Sequence, residues 1–379
     1  MTINYKSDYL TKHLITYLGN KRGLLPFIDS AVNDIKKELK EEHPTMFDGF
    51  SGSGCVARLF KHYASELFVN DYEGYAETIN RCYLANKSEI DVARINYYID
   101  KLNNLNLTYT DGFIRKNYSP KDDKNILQGE RTFYTNKNAL IIDNIRKYIK
   151  EIVEKENPLL VPYVLAPLIT KASINVNTAA SFKGFYKNKA GIGQFGGEGK
   201  NALKRIISDI TLDYPVFCNN ECEYTIYKGD TNAIIKKMPE VDIVYYDPPY
   251  NQHPYGSNYF MLNIINDYED SPQIQEGVAG ISKDWNKSDY NKRREAGKAM
   301  EELIENTKAK YILVSYNNEG IIPENDFKDI LEKYGKISKK TQEHNTFRAS
   351  KNTGKGKTLL NGETRKLKVE EILWILKKD

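Results

Sequence analysis

The tetrapeptide Asp247-Pro248-Pro249-Tyr250 has the most specific chemistry in the chain. It follows an apolar run, VDIVYY (residues 241–246), so it falls where a buried strand stops, and its prolines hold the backbone rigid there. A carboxylate, a proline-restricted carbonyl and an aromatic ring at a strand end form a small preorganised cage. Such a cage suits an exocyclic amine on a nucleobase. The amine's lone pair is delocalised into the ring, and two acceptors on its N–H groups pull the nitrogen toward a tetrahedral, nucleophilic geometry while Tyr250 stacks on the base. A base in duplex must first leave the stack, at a cost of a few kcal/mol. A proline-terminated strand with a capping acid is the plainer reading of the same residues.

A second constellation lies earlier. Phe50-Ser51-Gly52-Ser53-Gly54 is a Gly-rich turn between an apolar entry at Met46 and Phe47 and a helical pattern. It lacks the Lys-Ser/Thr ending of a triphosphate-binding loop. About twenty residues on, LFVND (residues 67–71) ends in Asp71, where mononucleotide sites hold a ribose hydroxyl pair. This suits adenosine with any substituent, NAD and S-adenosylmethionine included. Taken singly, the glycines also read as a tight turn, Asp71 and Asp230 as helix caps, and Lys21 as a solvated lysine.

The elements that must position these residues are legible in outline. Leu24, Ile28, Val32, Ile35 and Leu39 recur at helical spacing and predict an amphipathic helix. Short apolar strands around Met46, Leu67, Val241 and Lys310 alternate with helices, which predicts a parallel α/β sheet with ligands beyond the strands' C-terminal ends. The alternation disappears over residues 86–224. Helical periodicity around IIDNIRKYIKEIVEK (residues 141–155) and a loop-like stretch at residues 181–200 replace it. The expected organisation is a catalytic domain of residues 1–85 and 225–379, interrupted by a mainly helical target-recognition domain at 86–224. EILWILKK (residues 371–378) reads as the last strand of a C-terminal hairpin.

With 379 residues, 40% hydrophobic content and a net charge of +4, the chain is an ordinary globular protein whose overall charge announces no polyanionic partner. Charge distribution says more. Between Leu331 and Lys368 eleven Lys or Arg face three acids, and Lys183 and Lys187 interleave with Phe182, Phe185 and Tyr186; both patterns suit nucleic-acid contact. Solvated loops are the alternative in each case. Cys218 and Cys222 read as buried thiols, and without a second ligand pair no metal is expected. LLVPYVLAPLIT (residues 159–170) reads as a buried core segment. No stretch has the length of a membrane span and no signal peptide is visible, so a cytoplasmic location is expected.

Read together and in order, YLGNKRGLLPFI (residues 17–28), FDGFSGSG (47–54), FVND (68–71), YKGD (227–230), DPPYNQHPYGSNYFMLN (247–263) and LVSYNNEG (313–320) resemble the motifs of the D12 class of amino-methylating, adenine-specific DNA methyltransferases. Gly49 stands where the family has proline, and HNTFRAS (344–350) is only loosely similar to its last motif. The resemblance implies a Rossmann-like methyltransferase sheet, S-adenosyl-L-methionine as donor, and in-line transfer without metal or covalent enzyme intermediate. It implies catalytic roles for Asp247, Pro248, Pro249 and Tyr250, and cofactor contacts from Tyr17, Gly19, Lys21, Asp48, Phe50, Gly52, Gly54, Asp71, Asp230 and Asp247. Together with the basic and aromatic pattern, it makes Lys183, Tyr186, Lys187, Tyr255, Asn258, Arg348, Lys351 and Lys355 the expected contacts to double-stranded DNA. A companion restriction endonuclease is the implied partner. The rival readings are a methyltransferase acting on the cytosine amine, a dinucleotide-dependent oxidoreductase and a silent DNA-binding module.

Overall fold

The computed structural model describes residues 3–179, 181–269, 273–318, 320–345 and 368–379. Its centre is a seven-stranded sheet. The strands are β1 (Met46–Asp48), β2 (Glu66–Asp71), β3 (Glu223–Lys228), β4 (Val241–Tyr246), β5 (Ala309–Asn317), β6 (Gly335–Asn345) and β7 (Lys368–Lys378). They lie side by side in the order β3-β2-β1-β4-β5-β7-β6. The pairs among β1 to β5 are parallel, while β7 runs antiparallel to both neighbours. The expected C-terminal hairpin is therefore present, with β7 slotted between β5 and β6. That placement departs from the dinucleotide sheet, in which β4, β5 and β6 are consecutive.

Side-chain alternation explains why the central strands are apolar throughout. Ile243 and Tyr245 of β4 join Tyr311 and Leu313 of β5 in one core, against the helices Leu25–Leu39 and Cys55–Phe60. Val244, Tyr246, Ile312 and Val314 point the other way, into a core shared with the helices Ala296–Asn306 and Glu324–Glu332. A strand buried on both faces has no polar side to display. Helix Leu25–Leu39 buries the face foreseen from its spacing and stops at Lys40, which adopts the left-handed conformation of a helix end.

Between β2 and β3 the described residues form helices and loops. The helices Val92–Asn103, Asn136–Tyr148 and Val161–Ile174 share a single apolar cluster with Gly74–Tyr83, which follows β2, and Phe260–Asp267, which follows the Asp247 tetrapeptide. The middle segment is thus packed directly onto helices flanking the sheet's C-terminal ends. Val164 to Thr170 are buried as expected, although Leu159 at the start of that stretch is exposed. All four cysteines are buried free thiols, Cys218 and Cys222 among them. No helix among the described residues is long and apolar enough to cross a membrane.

Candidate active site

Strand order reverses between β1 and β4, and a pocket of about 930 Å³, counted out to solvent, opens there beyond the strands' C-terminal ends. Its floor is the Gly-rich turn. Asp71 accepts hydrogen bonds from the amides of Gly52 (2.7 Å) and Glu73 (2.9 Å), tying the turn after β1 to the turn after β2. Asn80 donates to Ser51 Oγ (2.8 Å) from below, and a Cβ on Gly54 would come within 2.3 Å of the Asn80 amide oxygen. Gly54 is therefore a packing requirement of this turn, and its φ of +70° is one that glycine adopts at no steric cost. Asp230 both lines the pocket and caps the helix Thr231–Ile235 by accepting from the Ala233 amide.

Five carboxylates line the pocket: Asp48, Asp71, Glu73, Asp230 and Asp247. Asp48 ends β1 fully buried, with no well-formed hydrogen bond to either oxygen, and burial together with Asp247 and Asp71 holds its carboxyl far above the usual range. Burial also pushes Glu73 and Asp247 up to about 7. The lysine among these acids is Lys21, which is 5% exposed. Its ammonium lies 2.6 Å from Glu371 Oε1 and 3.2 Å from Asp247 Oδ1, and 5.6 Å from the centre of the Tyr250 ring. Burial works against its charge, but the two carboxylates outweigh that and keep it protonated.

The loop bearing Lys21 is gripped by aromatic side chains. Tyr259 accepts from the Leu18 amide and Tyr255 donates to the Leu18 carbonyl, both at 2.8 Å. Tyr17 stacks on both rings, at 4.7 Å from Tyr259 and 5.0 Å from Tyr255, and its hydroxyl meets that of Tyr75. Gly19 passes so close to Tyr250 that a Cβ would stand 3.0 Å from the phenol oxygen.

A rigid strand-end acid and aromatic thus face an acidic cavity at the sheet's switch point. Comparison with known proteins assigns the chemistry. The family model for the D12 class N6 adenine-specific DNA methyltransferase matches residues 17–330. The chain belongs to this family. The Type II methyltransferase M.NlaIII of Neisseria lactamica is 28% identical over 342 residues, covering 89% of this chain and 93% of that protein. The Type II methyltransferase M.CviAII of Paramecium bursaria Chlorella virus 1 is 27% identical, covering 88% and 93%. The modification methylase StsI of Streptococcus sanguinis is 31% identical over 84% of this chain, which spans about half of its length (46%). Site-specific methylation of adenine in DNA, in a restriction-modification setting, is the activity of this methyltransferase, and a methyl donor is its second substrate. The choice between adenine and cytosine, open from the cage alone, falls to adenine.

The methyltransferase gathers Tyr17, Gly19, Lys21, Asp48, Phe50, Gly52, Asp71, Asp230, Asp247, Pro249 and Tyr255 around the one pocket. Pro248 is buried behind its wall, and half-buried Tyr250 sits beside it against Lys21 and Gly19. Two of the expected DNA contacts lie away from the open surface. Asn258 is 4% exposed: its side chain donates to the His253 carbonyl and its own carbonyl accepts from the Phe182 amide, so it is a strut inside the protein. Tyr255 belongs to the pocket wall, its hydroxyl committed to Leu18. In the middle segment Phe182 is buried on Phe133, Tyr259 and Phe260, while Lys183 is exposed and Tyr186 and Lys187 are half-buried around a short turn. Arg348, Lys351 and Lys355 lie outside the described residues.

Sequence reasoning missed Glu73, Glu371 and the segment carrying Asn286, Ser288, Tyr290 and Asn291. That segment crosses the pocket mouth, with Asn286 donating to the Tyr72 carbonyl (2.9 Å) and Asn291 to the Asn251 carbonyl (2.7 Å). Glu73 had a signal, as a second acid in the turn that starts at Asp71. Residues 286–291 match no motif, and Glu371 reads as one letter of an apolar strand.

Proposed function

We propose that this methyltransferase binds S-adenosylmethionine in the acidic pocket and methylates an everted adenine held by Asp247, Pro248 and Tyr250. The observation that carries the reading is the pocket's acidic lining, whose buried carboxyls are raised by burial and ionise most readily beside a cation. Five carboxylates oppose one lysine that is already paired to acids, and the Gly52 amide already donates to Asp71. A ligand with sulfonium and ammonium groups and ribose hydroxyls fits such a lining, whereas the pyrophosphate of a dinucleotide would be repelled. Asp71 and Asp230 would hold the nucleoside part, and Asp48, buried without a good donor, would favour a cationic neighbour. When bound, the cofactor supplies an electrophilic methyl carbon whose departing bond leaves its electrons on sulfur.

The remaining work belongs to the chain. Asp247 and the Pro248 carbonyl accept from the adenine N6 hydrogens and concentrate the nitrogen's lone pair. Tyr250 stacks on the base. As the N–C bond forms, one N6 proton must leave, and the Asp247 carboxylate is the base on the pocket wall that takes it. The middle segment, residues 86–224, would read the target with Lys183, Tyr186 and Lys187 near its surface, and a restriction endonuclease of the same specificity would be the partner.

Long-read sequencing of DNA from cells expressing the chain is expected to give N6-methyladenine in one recurring context. Asp247→Ala should cut methyl transfer by roughly a hundredfold or more while S-adenosylmethionine binding, followed by calorimetry, persists. Full activity in that variant, or tighter binding of a nicotinamide dinucleotide than of S-adenosylmethionine, would refute the reading.

A further inference from the structure

Glu371 enters the site from β7, the last strand. Because β7 runs antiparallel, its first residues lie beside the C-terminal ends of the parallel strands, and Glu371 pairs with Asn317 at the end of β5. The side chain is 2% exposed. Its Oε1 accepts from Ser315 Oγ and from Lys21 Nζ, each at 2.6 Å. Lys21 stands farther from Asp247, at 3.2 Å, and off the line of a good hydrogen bond, so Asp247 Oδ1 has ionic contact without a directed donor.

We propose that Glu371 is a positioning residue: it draws the Lys21 ammonium into its own hydrogen bond, leaving the Asp247 carboxylate beside a cation yet open to accept from the target amine. The inference rests on the reading of Asp247 as the acceptor for adenine N6. Without Glu371, Lys21 has one acid left to bond, and full donation to Asp247 would cap the lone pairs the amine needs while lowering their basicity. The other ionisable groups that feel Asp247 are Asp48 from β1, Cys55 from the following helix, Tyr245 from β4 and Tyr255 from the aromatic grip; none of them donates to its carboxylate.

The test uses full-length Glu371→Gln, which keeps shape and removes charge. Titration of Asp247 in cofactor-free protein, by carbon-13 NMR with the signal assigned through Asp247→Asn, is expected to move to lower pH by about one pH unit. The acid limb of the kcat/KM profile should move with it, and kcat at its plateau should fall at least about tenfold with KM for S-adenosylmethionine little changed. Glu371→Asp, which restores the charge, should recover the wild-type titration in part. A purely structural role predicts a lower melting temperature with the Asp247 titration unmoved, and that result overturns the proposal. If the titration moves and the rate profile does not, Glu371 acts as stated and the role of Asp247 fails instead. Should Glu371→Gln not fold, nitrogen-15 NMR of wild-type Lys21 decides. A slowly exchanging ammonium hydrogen-bonded to Glu371 is expected, and a rapidly exchanging one refutes the pairing.

Discussion

Asp247 is held in a form that costs the folded chain stability at neutral pH. Its carboxyl is pushed up to about 7 by burial, opposed by Lys21 and assisted by Glu371, from an ordinary value of about 4. Between those two values the folded chain keeps a proton that the unfolded chain has released, so stability falls as pH rises through that window. Asp247→Asn cannot ionise. It is expected to melt above wild type at pH 8 and to lose that advantage as the pH approaches 4, which calorimetry at the two pH values would check. Equal melting at pH 8 would mean that Lys21 fully offsets the buried charge. The same titration predicts that wild-type kcat/KM declines below about pH 7 as Asp247 protonates. Residue 49 shows how local space governs a motif: a Cβ there would lie 2.6 Å from the Tyr246 ring, so this chain's Gly49 leaves the room that its strand-end tyrosine takes.

At the scale of elements, the loop of Gly19 and Lys21 is held by the short helices after the Asp247 tetrapeptide through Tyr255 and Tyr259. Tyr259→Phe removes the acceptor for the Leu18 amide. We expect about 1–3 kcal/mol loss in denaturant unfolding, with weaker S-adenosylmethionine binding because the loop loosens. Full stability in that variant would show that the amide finds another acceptor. These relations explain what sequence could and could not disclose. The strands at Met46, Leu67, Val241 and Lys310 were legible because two-sided burial writes itself as a run of apolar letters. The place of Asp247 and Asp71 at the pocket was legible because each stands where an apolar strand ends, at the sheet's C-terminal edge. Glu371 was not, since its partner Lys21 lies 350 positions away and only the antiparallel placement of β7 joins them. Asn258 shows the converse: it follows the Asp247 tetrapeptide in sequence, but its helix turns it inward.

Across the whole molecule, the helices between β2 and β3 share one apolar cluster with the helix that follows the Asp247 tetrapeptide. Phe182, in the basic and aromatic stretch, packs against Phe260 and Tyr259 at the start of the helix after the Asp247 tetrapeptide. Phe182→Ala is expected to cost about 3–5 kcal/mol and to weaken DNA binding more than S-adenosylmethionine binding. Filter-binding and calorimetry measure the two separately, and equal losses would count against a coupling role for this contact. Acids are concentrated in the pocket, and exposed lysines such as Lys183 lie outside it, a separation that suits the proposed binding of a cationic small molecule in one place and a polyanion in the other.

The late position of β7 imposes an order on biosynthesis. A nascent chain can pair β1, β2, β4 and β5 and shape most of the pocket while translation is still under way, yet Lys21 meets its second carboxylate only after residue 371 has left the ribosome. Until then the lysine has Asp247 as its carboxylate partner, so the arrangement of Lys21 between two acids is among the last features of the site to form.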